Sequence, residues 1–213
     1  MAYSLPNGST FDVAATYDVP VTITAISNAA PAVVSATGHG LSTGDYVILT
    51  SGWTKLNNRA YKVTVVDTDS FSLDGTDTTD TTRYPALGGT GSLRPVATWV
   101  QIPQITGVDF TGGEQNMYTF QFLEDDDERQ FPTNKSAITV TLTVADDPDQ
   151  SYVPIVEGYD EAKSLNVLKL NLINGDEILY PAVVTISATP SLTVNELMTR
   201  TISLALQARP TLY

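Results

Sequence analysis

Five consecutive carboxylates, Glu124-Asp125-Asp126-Asp127-Glu128, form the densest group of chemically active side chains in the chain. Hard cations take several carboxylate oxygens at once, so such a run invites a calcium reading. The spacing does not fit, because the twelve-residue calcium loop sets its ligands at alternating positions around a central glycine. A solvated corner or a subunit-contact loop is the better reading. Asp67-Thr68-Asp69 and the acids Asp74, Asp77 and Asp80 read as polar turns. His39, the one histidine, stands between Gly38 and Gly40 with no nominated nucleophile or orienting partner, so it does not suggest a general base. No phosphate-binding loop, dinucleotide fingerprint, zinc-helix motif or nucleophile elbow is present. The sequence therefore predicts no catalytic residue, no metal site, no cofactor and no enzyme. Trp53, in the turn Ser51-Gly52-Trp53-Thr54, is the expected anchor of any outward carbohydrate or protein contact. Tyr118, Tyr152, Tyr159 and Tyr180 lie on or beside apolar faces and are expected in the core.

The elements around these residues are mostly strands. Directly after the acidic run and Arg129-Gln130-Phe131, the stretch Ala137 to Val144 alternates apolar residues with Thr139, Thr141 and Thr143. Strand side chains point to opposite faces with a period of two, so this is a strand with one buried and one polar face. Similar alternation sets Tyr118, Phe120 and Phe122 against Thr119 and Gln121, and Leu168, Leu170 and Leu172 against Lys169 and Asn171. Ile202, Leu204 and Leu206 repeat the pattern near the end. One helix is expected over Asp149 to Ser164, with Tyr152, Ile155, Val156, Tyr159 and Ala162 on one face, Asp149 as its cap and Pro154 in its first turn.

Charge divides the chain. The net charge is -13, yet the segment 21–94 carries six acids and five bases, so nearly all the excess belongs to 1–20 and 95–213. Segment 21–94 contains five short β-rich runs (21–26, 32–36, 46–49, 61–66 and 70–73) separated by turn residues, as in a small barrel or sandwich. Asp74 to Gly91 looks like a flexible exit loop. The expected organisation is a discontinuous domain of 1–20 and 95–213 with a small all-β domain, 21–94, inserted. Charged residues are only 16% of the chain, so Thr, Ser, Asn and Gln must cover the surface, which suits packing against copies of itself. The acidic balance argues against a basic patch for nucleic acid, and no window is long and apolar enough to span a bilayer. The start, Met1 to Pro6, lacks an export signal. The absence of cysteine excludes disulfides and thiolate sites.

Several motifs together resemble the tail tube proteins of long-tailed, siphovirus-like bacteriophages. They are Leu5-Pro6-Asn7-Gly8-Ser9-Thr10-Phe11, the block Leu123 to Thr133, Ala145-Asp146-Asp147-Pro148-Asp149-Gln150, Ile173-Asn174-Gly175-Asp176, and Ala188 to Glu196 with the strand ending near Ala208-Arg209-Pro210. The segment from Ala25 to Asp45, continuing through Leu56-Asn57-Asn58-Arg59-Ala60-Tyr61 to Gly75, resembles a small β module recurrent in phage tail proteins. Simple tail tube proteins lack that insert.

The resemblance implies a mainly β fold: an antiparallel β-sandwich or partial barrel with one packed α-helix, plus the inserted small β domain. It implies six-fold rings that stack into a hollow tube, with four strands per subunit closing a continuous inner barrel. The implied partners are further copies of the chain, tail tip or baseplate and terminator proteins, a tape measure protein, and DNA that passes through without specific binding or membrane insertion. The place of action would be the virion tail, assembled in the host cytoplasm. The inter-subunit candidates are Glu124, Asp125, Asp126, Asp127, Glu128, Arg129 and Phe131. The lumen or subunit-facing candidates are Thr119, Gln121, Thr139, Thr141, Thr143, Lys169 and Asn171. Two other classes compete: a non-polymerising module that binds carbohydrate or a host surface through Trp53, and a metal-dependent hydrolase using the acidic run.

Overall fold

The computed structural model describes residues 7–213, so Met1 to Pro6, including the first two residues of the opening motif, lie outside the described residues. The chain begins with β1 (Thr10–Tyr17) and enters the first lobe through β2 (Val21–Ile23), β3 (Ala25–Ile26), β4 (Ala32–Ser35), β5 (Tyr46–Ser51), β6 (Arg59–Asp67) and β7 (Ser70–Leu73). It returns on the long strand β8 (Gly91–Ile102), followed by β9 (Ile105–Thr111), β10 (Gln115–Phe120), β11 (Arg129–Lys135) and β12 (Thr139–Ala145). Helix α1 (Val153–Ala162) precedes β13 (Leu165–Asn171), β14 (Glu177–Ile186), β15 (Thr199–Leu206) and β16 (Thr211–Leu212).

Fourteen strands join in one sheet whose main path is β3-β4-β7-β6-β5-β8-β1-β13-β14-β15-β12-β9, with β2 on β8 and β16 on β14. β8 carries the path from one lobe to the other. Its first half, Gly91 to Pro95, pairs with β5, and its second half, Val96 to Ile102, pairs with β1.

In the larger lobe the alternation works as the sequence predicts. Val140, Leu142 and Val144 of β12, Leu168 and Leu170 of β13, and Ile202 and Leu204 of β15 all enter one core with Phe11, Val13 and Ile102. Phe110 of β9 stands 6.3 Å, ring to ring, from Tyr180 of β14. Those strands are three places apart in the sheet, and strands lie about 4.8 Å apart, so a flat sheet would separate them by roughly 14 Å or more. The sheet has curled over its own core into a partial barrel.

Helix α1 lies against β14 and seals the core with Val153 and Val156, while Tyr152 before it is also buried. Two helix expectations are corrected. Asp149 does not cap the helix; its amide donates to Asp147 Oδ1 in the preceding turn, and Tyr152 occupies the cap position without a side-chain bond. Ala162 is exposed at the end of the last turn, not on the buried face. Pro154 does sit in the first turn, where a missing amide hydrogen costs nothing.

The smaller lobe closes differently from the simple strand order. The run 21–26 is not one strand: it breaks at Thr24, so β2 pairs with β8 and β3 pairs with β4. One broken strand thus bonds to both ends of the module and closes a small barrel. Ile23, Val34, Val47, Leu49, Tyr61, Val63, Phe71, Leu73 and Leu93 fill it. Asp74 to Gly91 is not a loose loop. Thr78 is fully buried, its hydroxyl meets the carbonyls of Ser27 and Ala29, and Asn28 Nδ2 donates to the carbonyls of Thr78 and Tyr84.

The two lobes meet across a third, smaller core of Ile48, Ala60, Val167 and Leu179, flanked by Tyr17, Tyr46, Trp99 and Tyr213. Polar contacts bracket it. Glu177 of β14 accepts from Lys62 Nζ at 2.8 Å and from Tyr46 Oη at 2.7 Å. Burial pushes the Glu177 carboxyl up, but the bonds from Lys62 and Tyr46 and the charges of Lys62 and Lys169 outweigh it and hold the group below its ordinary range. A depressed folded-state pKa contributes stability above the unfolded value and loses it as pH falls through the folded one. Glu177→Gln should therefore be less stable than the parent at pH 7, and the difference should shrink on acidification through the carboxylate range. Parallel urea titrations at several pH values measure this; a difference independent of pH would show that the charge at Glu177 contributes nothing.

Candidate functional site

The acidic run sits at the tip of the β10–β11 hairpin, which pairs only with itself and forms a separate two-stranded sheet. Gly112 opens the way into it. Its φ is +85°, and a Cβ there would lie 1.8 Å from the Ala137 carbonyl oxygen, so only glycine lets the chain leave β9 this close to the returning strand.

Every residue of β11 and all of β10 but Phe120 are exposed. One face of the hairpin is aromatic. Tyr118 stacks on Phe120 at 6.2 Å, Phe120 meets Phe122 edge-on at 5.3 Å, and Phe131 lies directly across from Tyr118. The other face carries Met117, Thr119, Gln130 and Pro132. Tyr118 is therefore not a core residue: it is 63% exposed, because no second layer lies beneath the hairpin. At the tip, Gln121 Nε2 donates to the Asp125 carbonyl, Asp125 pairs with Arg129, and the Arg129 guanidinium lies 5.4 Å from the Phe122 ring. Glu124, Asp126, Asp127 and Glu128 remain exposed without a basic partner among the described residues.

A second surface is the polar face of β14, β15, β12 and β9. The registers set Thr185, Ser203, Thr141 and Asp109 in one row across the strands. Ala205, Thr139 and Thr111 form the next row on one side, and Thr201, Thr143 and Gly107 the row on the other. These side chains are exposed or half-buried, and none is a lysine or arginine. β9 ends the sheet, with its outer edge unpaired among the described residues.

Lys169 and Asn171 do not belong to this open face. Lys169 lies at the seam with the small lobe, and Asn171 is tied to the neighbouring strand β1. Lys169 Nζ lies 3.7 Å from Asp12 and 5.0 Å from the rings of both Tyr46 and Trp99, and Asn171 Nδ2 donates to Thr10 Oγ1 and Asp12 Oδ2. Their strand alternates correctly, but its polar side packs on Tyr46 of the small lobe at Lys169 and on β1 at Asn171.

Trp53 is also corrected. The indole is buried at 3% exposure, donates from Nε1 to the Pro85 carbonyl at 2.9 Å and meets Tyr84 edge-on. Gly89 passes so near that a Cβ would stand 2.9 Å from Ile26 and 3.2 Å from the indole. A residue that pins the 74–91 segment cannot anchor an external glycan. His39 is likewise structural: Nδ1 accepts from the Leu41 amide, Nε2 donates to the Asp67 carbonyl, and the ring packs on Phe71. Among the described residues, no group of three or more His, Cys, Asp or Glu is placed to hold a metal ion.

An open, hydroxyl-coated sheet face, an unpaired edge strand and a hairpin without a core beneath it define a structural protein built around its surfaces. The sequence model of the phage tail tube protein family (TTP) matches residues 51–213. The chain belongs to that family, whose members are structural proteins of the virion tail and not enzymes. No curated protein matches it. Among solved structures it is similar to a chain of the virion of a native gene transfer agent particle, at 7% identity over 54% of this chain and 88% of that one, with a TM-score of 0.42. A chain in the six-fold symmetrised baseplate of the anti-feeding prophage matches at 11% identity over 55% and 85%, TM-score 0.40. One in the extended sheath-tube complex of the extracellular contractile injection system PVC matches at 13% over 53% and 82%, TM-score 0.37. Likenesses this loose carry no weight beside the family match.

Trp53→Ala should cost about 3–5 kcal/mol in the stability of the small lobe, the usual loss for a buried large aromatic. Guanidinium unfolding followed by tyrosine and Trp99 fluorescence measures it. A loss within about 0.5 kcal/mol, the range of surface changes, would show that the indole is not packed.

Proposed function

We propose that this tail tube subunit assembles with itself into hexameric rings that stack into the conduit for genome delivery. The β10–β11 hairpin is the observation that carries the reading. A two-stranded hairpin is marginal in water by itself, and this one exposes an aromatic face with Tyr118, Phe122 and Phe131 each at half exposure or more. Packing against a neighbouring copy supplies the missing layer. Glu124, Asp125, Asp126, Asp127, Glu128, Arg129 and Phe131 then become inter-subunit contacts.

The unpaired edge of β9 supports the same conclusion, since a free edge is a template for another strand. Joining four strands per subunit, β14, β15, β12 and β9, would close an inner barrel and make Thr139, Thr141 and Thr143 part of its wall. Thr119 and Gln121, on the hairpin, would face a neighbouring subunit. The small lobe, covering the opposite end of the main sheet path, would stand on the tube exterior as an inserted domain of about 21–94, with the tube domain formed by 1–20 and 95–213. Terminator, tail tip or baseplate and tape measure proteins would be its other partners, with assembly in the host cytoplasm. DNA would pass without specific binding.

Negative-stain imaging of the purified chain at high concentration, with sedimentation velocity, tests the reading. Hollow tubes or rings with six-fold end views are expected. The double variant Tyr118→Ser, Phe131→Ser should keep the unfolding free energy within about 0.5 kcal/mol, as exposed sites do, while sharply reducing the assembled fraction. Undiminished assembly of that variant would overturn the role of the aromatic face.

A further inference from the structure

The chain holds 24 acids and only 11 bases, so a place where bases gather without acids stands out. A cleft of about 350 Å³ is lined by Lys55, Arg59, Arg83 and Arg209. It lies where the loop after β5 and the Arg83-Tyr84 turn of the small lobe meet the stretch Gln207 to Arg209 that follows β15. Among the described residues, Lys55, Arg59 and Arg209 have no carboxylate partner, and Arg83 has only Asp80, at 3.2 Å on the open surface.

Arg59 is held in place from both lobes. Its guanidinium lies 5.4 Å from the Tyr61 ring, and one terminal nitrogen reaches Thr211 Oγ1 at 3.4 Å. Its side chain also hydrogen-bonds the buried Tyr61 hydroxyl, which fixes the guanidinium at the cleft wall. A neighbouring hollow shares Gln207, Ala208 and Arg209 and adds Lys135, so the basic surface runs on to the foot of the hairpin.

We propose that this cleft receives the acidic hairpin tip, Glu124 to Glu128, of a second copy of the chain. The proposal rests on the self-assembly reading above for the identity of its partner. Charge complementarity selects the tip: four of its five carboxylates are exposed and unpaired, and the cleft offers three unpaired bases. Geometry excludes the chain's own tip. Lys135 borders the basic surface at one end of the hairpin, and strands of six and seven residues separate it from the acids at the other. At about 3.3 Å per residue that is a reach of roughly 20 Å, and among the described residues no tip carboxylate pairs with a base of the cleft. The tip therefore meets such a cleft only on another molecule.

Charge reversal on each side tests this, using the full chain. Asp126→Lys, Asp127→Lys, Glu128→Lys alters the tip, and Lys55→Glu, Arg209→Glu alters the cleft; all five positions are exposed, so thermal midpoints should barely move. Each set alone should cut the assembled fraction measured by sedimentation at least about tenfold, and the two sets combined should restore it. Cleft variants that assemble like the parent overturn the docking and leave the tube reading standing. If the parent forms no rings or tubes under any condition, the tube reading fails instead. The docking is then read by titrating a synthetic peptide of residues 121–131 onto the chain. Binding that weakens with salt and disappears in the cleft variant supports it. No binding overturns it, as does binding of pyrophosphate without the peptide, which would make the cleft a small-phosphate site.

Discussion

Strand β8 is the constraint on which the rest of the molecule depends. Its twelve residues form the ladder of the small barrel at one end and the ladder to β1 at the other, so the two lobes share backbone hydrogen bonds and not merely a linker. A shared strand fixes the angle between lobes far more tightly than a flexible connection could. The seam cores Ile48 and Ala60 against Val167 and Leu179, and the Glu177 bonds to Lys62 and Tyr46 set its register. The C-terminal residues close it: Thr211 Oγ1 donates to the Ala60 carbonyl, and the Lys62 amide donates to Tyr213 Oη. Burial pushes the Tyr213 phenol up to about 12, so it stays neutral as an acceptor there.

Once the seam has consumed one face of the sheet at β1, β13 and β14, what remains unsatisfied collects elsewhere. The edge of β9 and the polar rows of β15 and β12 belong to the part of the sheet that the small lobe does not cover, and the separate, unsupported hairpin connects β9 to β12 there. A monomer would leave these as liabilities: a free edge, exposed aromatics and like charges at a tip. Their concentration away from the second lobe makes them a coherent surface and not scattered imperfections.

Much of this was legible in the sequence, because alternation is a local signal. The inner faces of β12, β13 and β15 follow directly from their period-two pattern. What failed were inferences about exposure that turn on what lies opposite a face. Lys169 and Asn171 look like a solvent face and are instead covered by Tyr46, Trp99 and Asp12. Tyr118 and Phe122 look like core and are exposed, since periodicity states which residues share a face and not whether anything lies beneath it. Trp53 in a glycine turn looks exposed, yet the distant Pro85 and Gly89 cover it. Each error concerns a partner far away in sequence, and the cleft between Lys55, Arg83 and Arg209 was illegible for the same reason.

The open face bears on how a conduit could avoid holding its cargo. A large negative net charge suggests repulsion of phosphate, yet Asp109 is the only charged side chain in the rows formed with Thr111, Thr139, Thr141, Thr143, Thr185, Thr201 and Ser203. If those rows form the wall, as proposed, low adhesion comes chiefly from the absence of lysine and arginine. A cation on the wall would release counterions from each phosphate it met and so gain affinity at every step. Hydroxyl groups already spend part of their bonding on the sheet: Thr106 and Thr111 donate to the carbonyls of Thr143 and Thr139. Such a wall has little to offer a passing backbone. The acids of the hairpin tip lie off that face, on a separate two-stranded sheet, so low adhesion there would not depend on them.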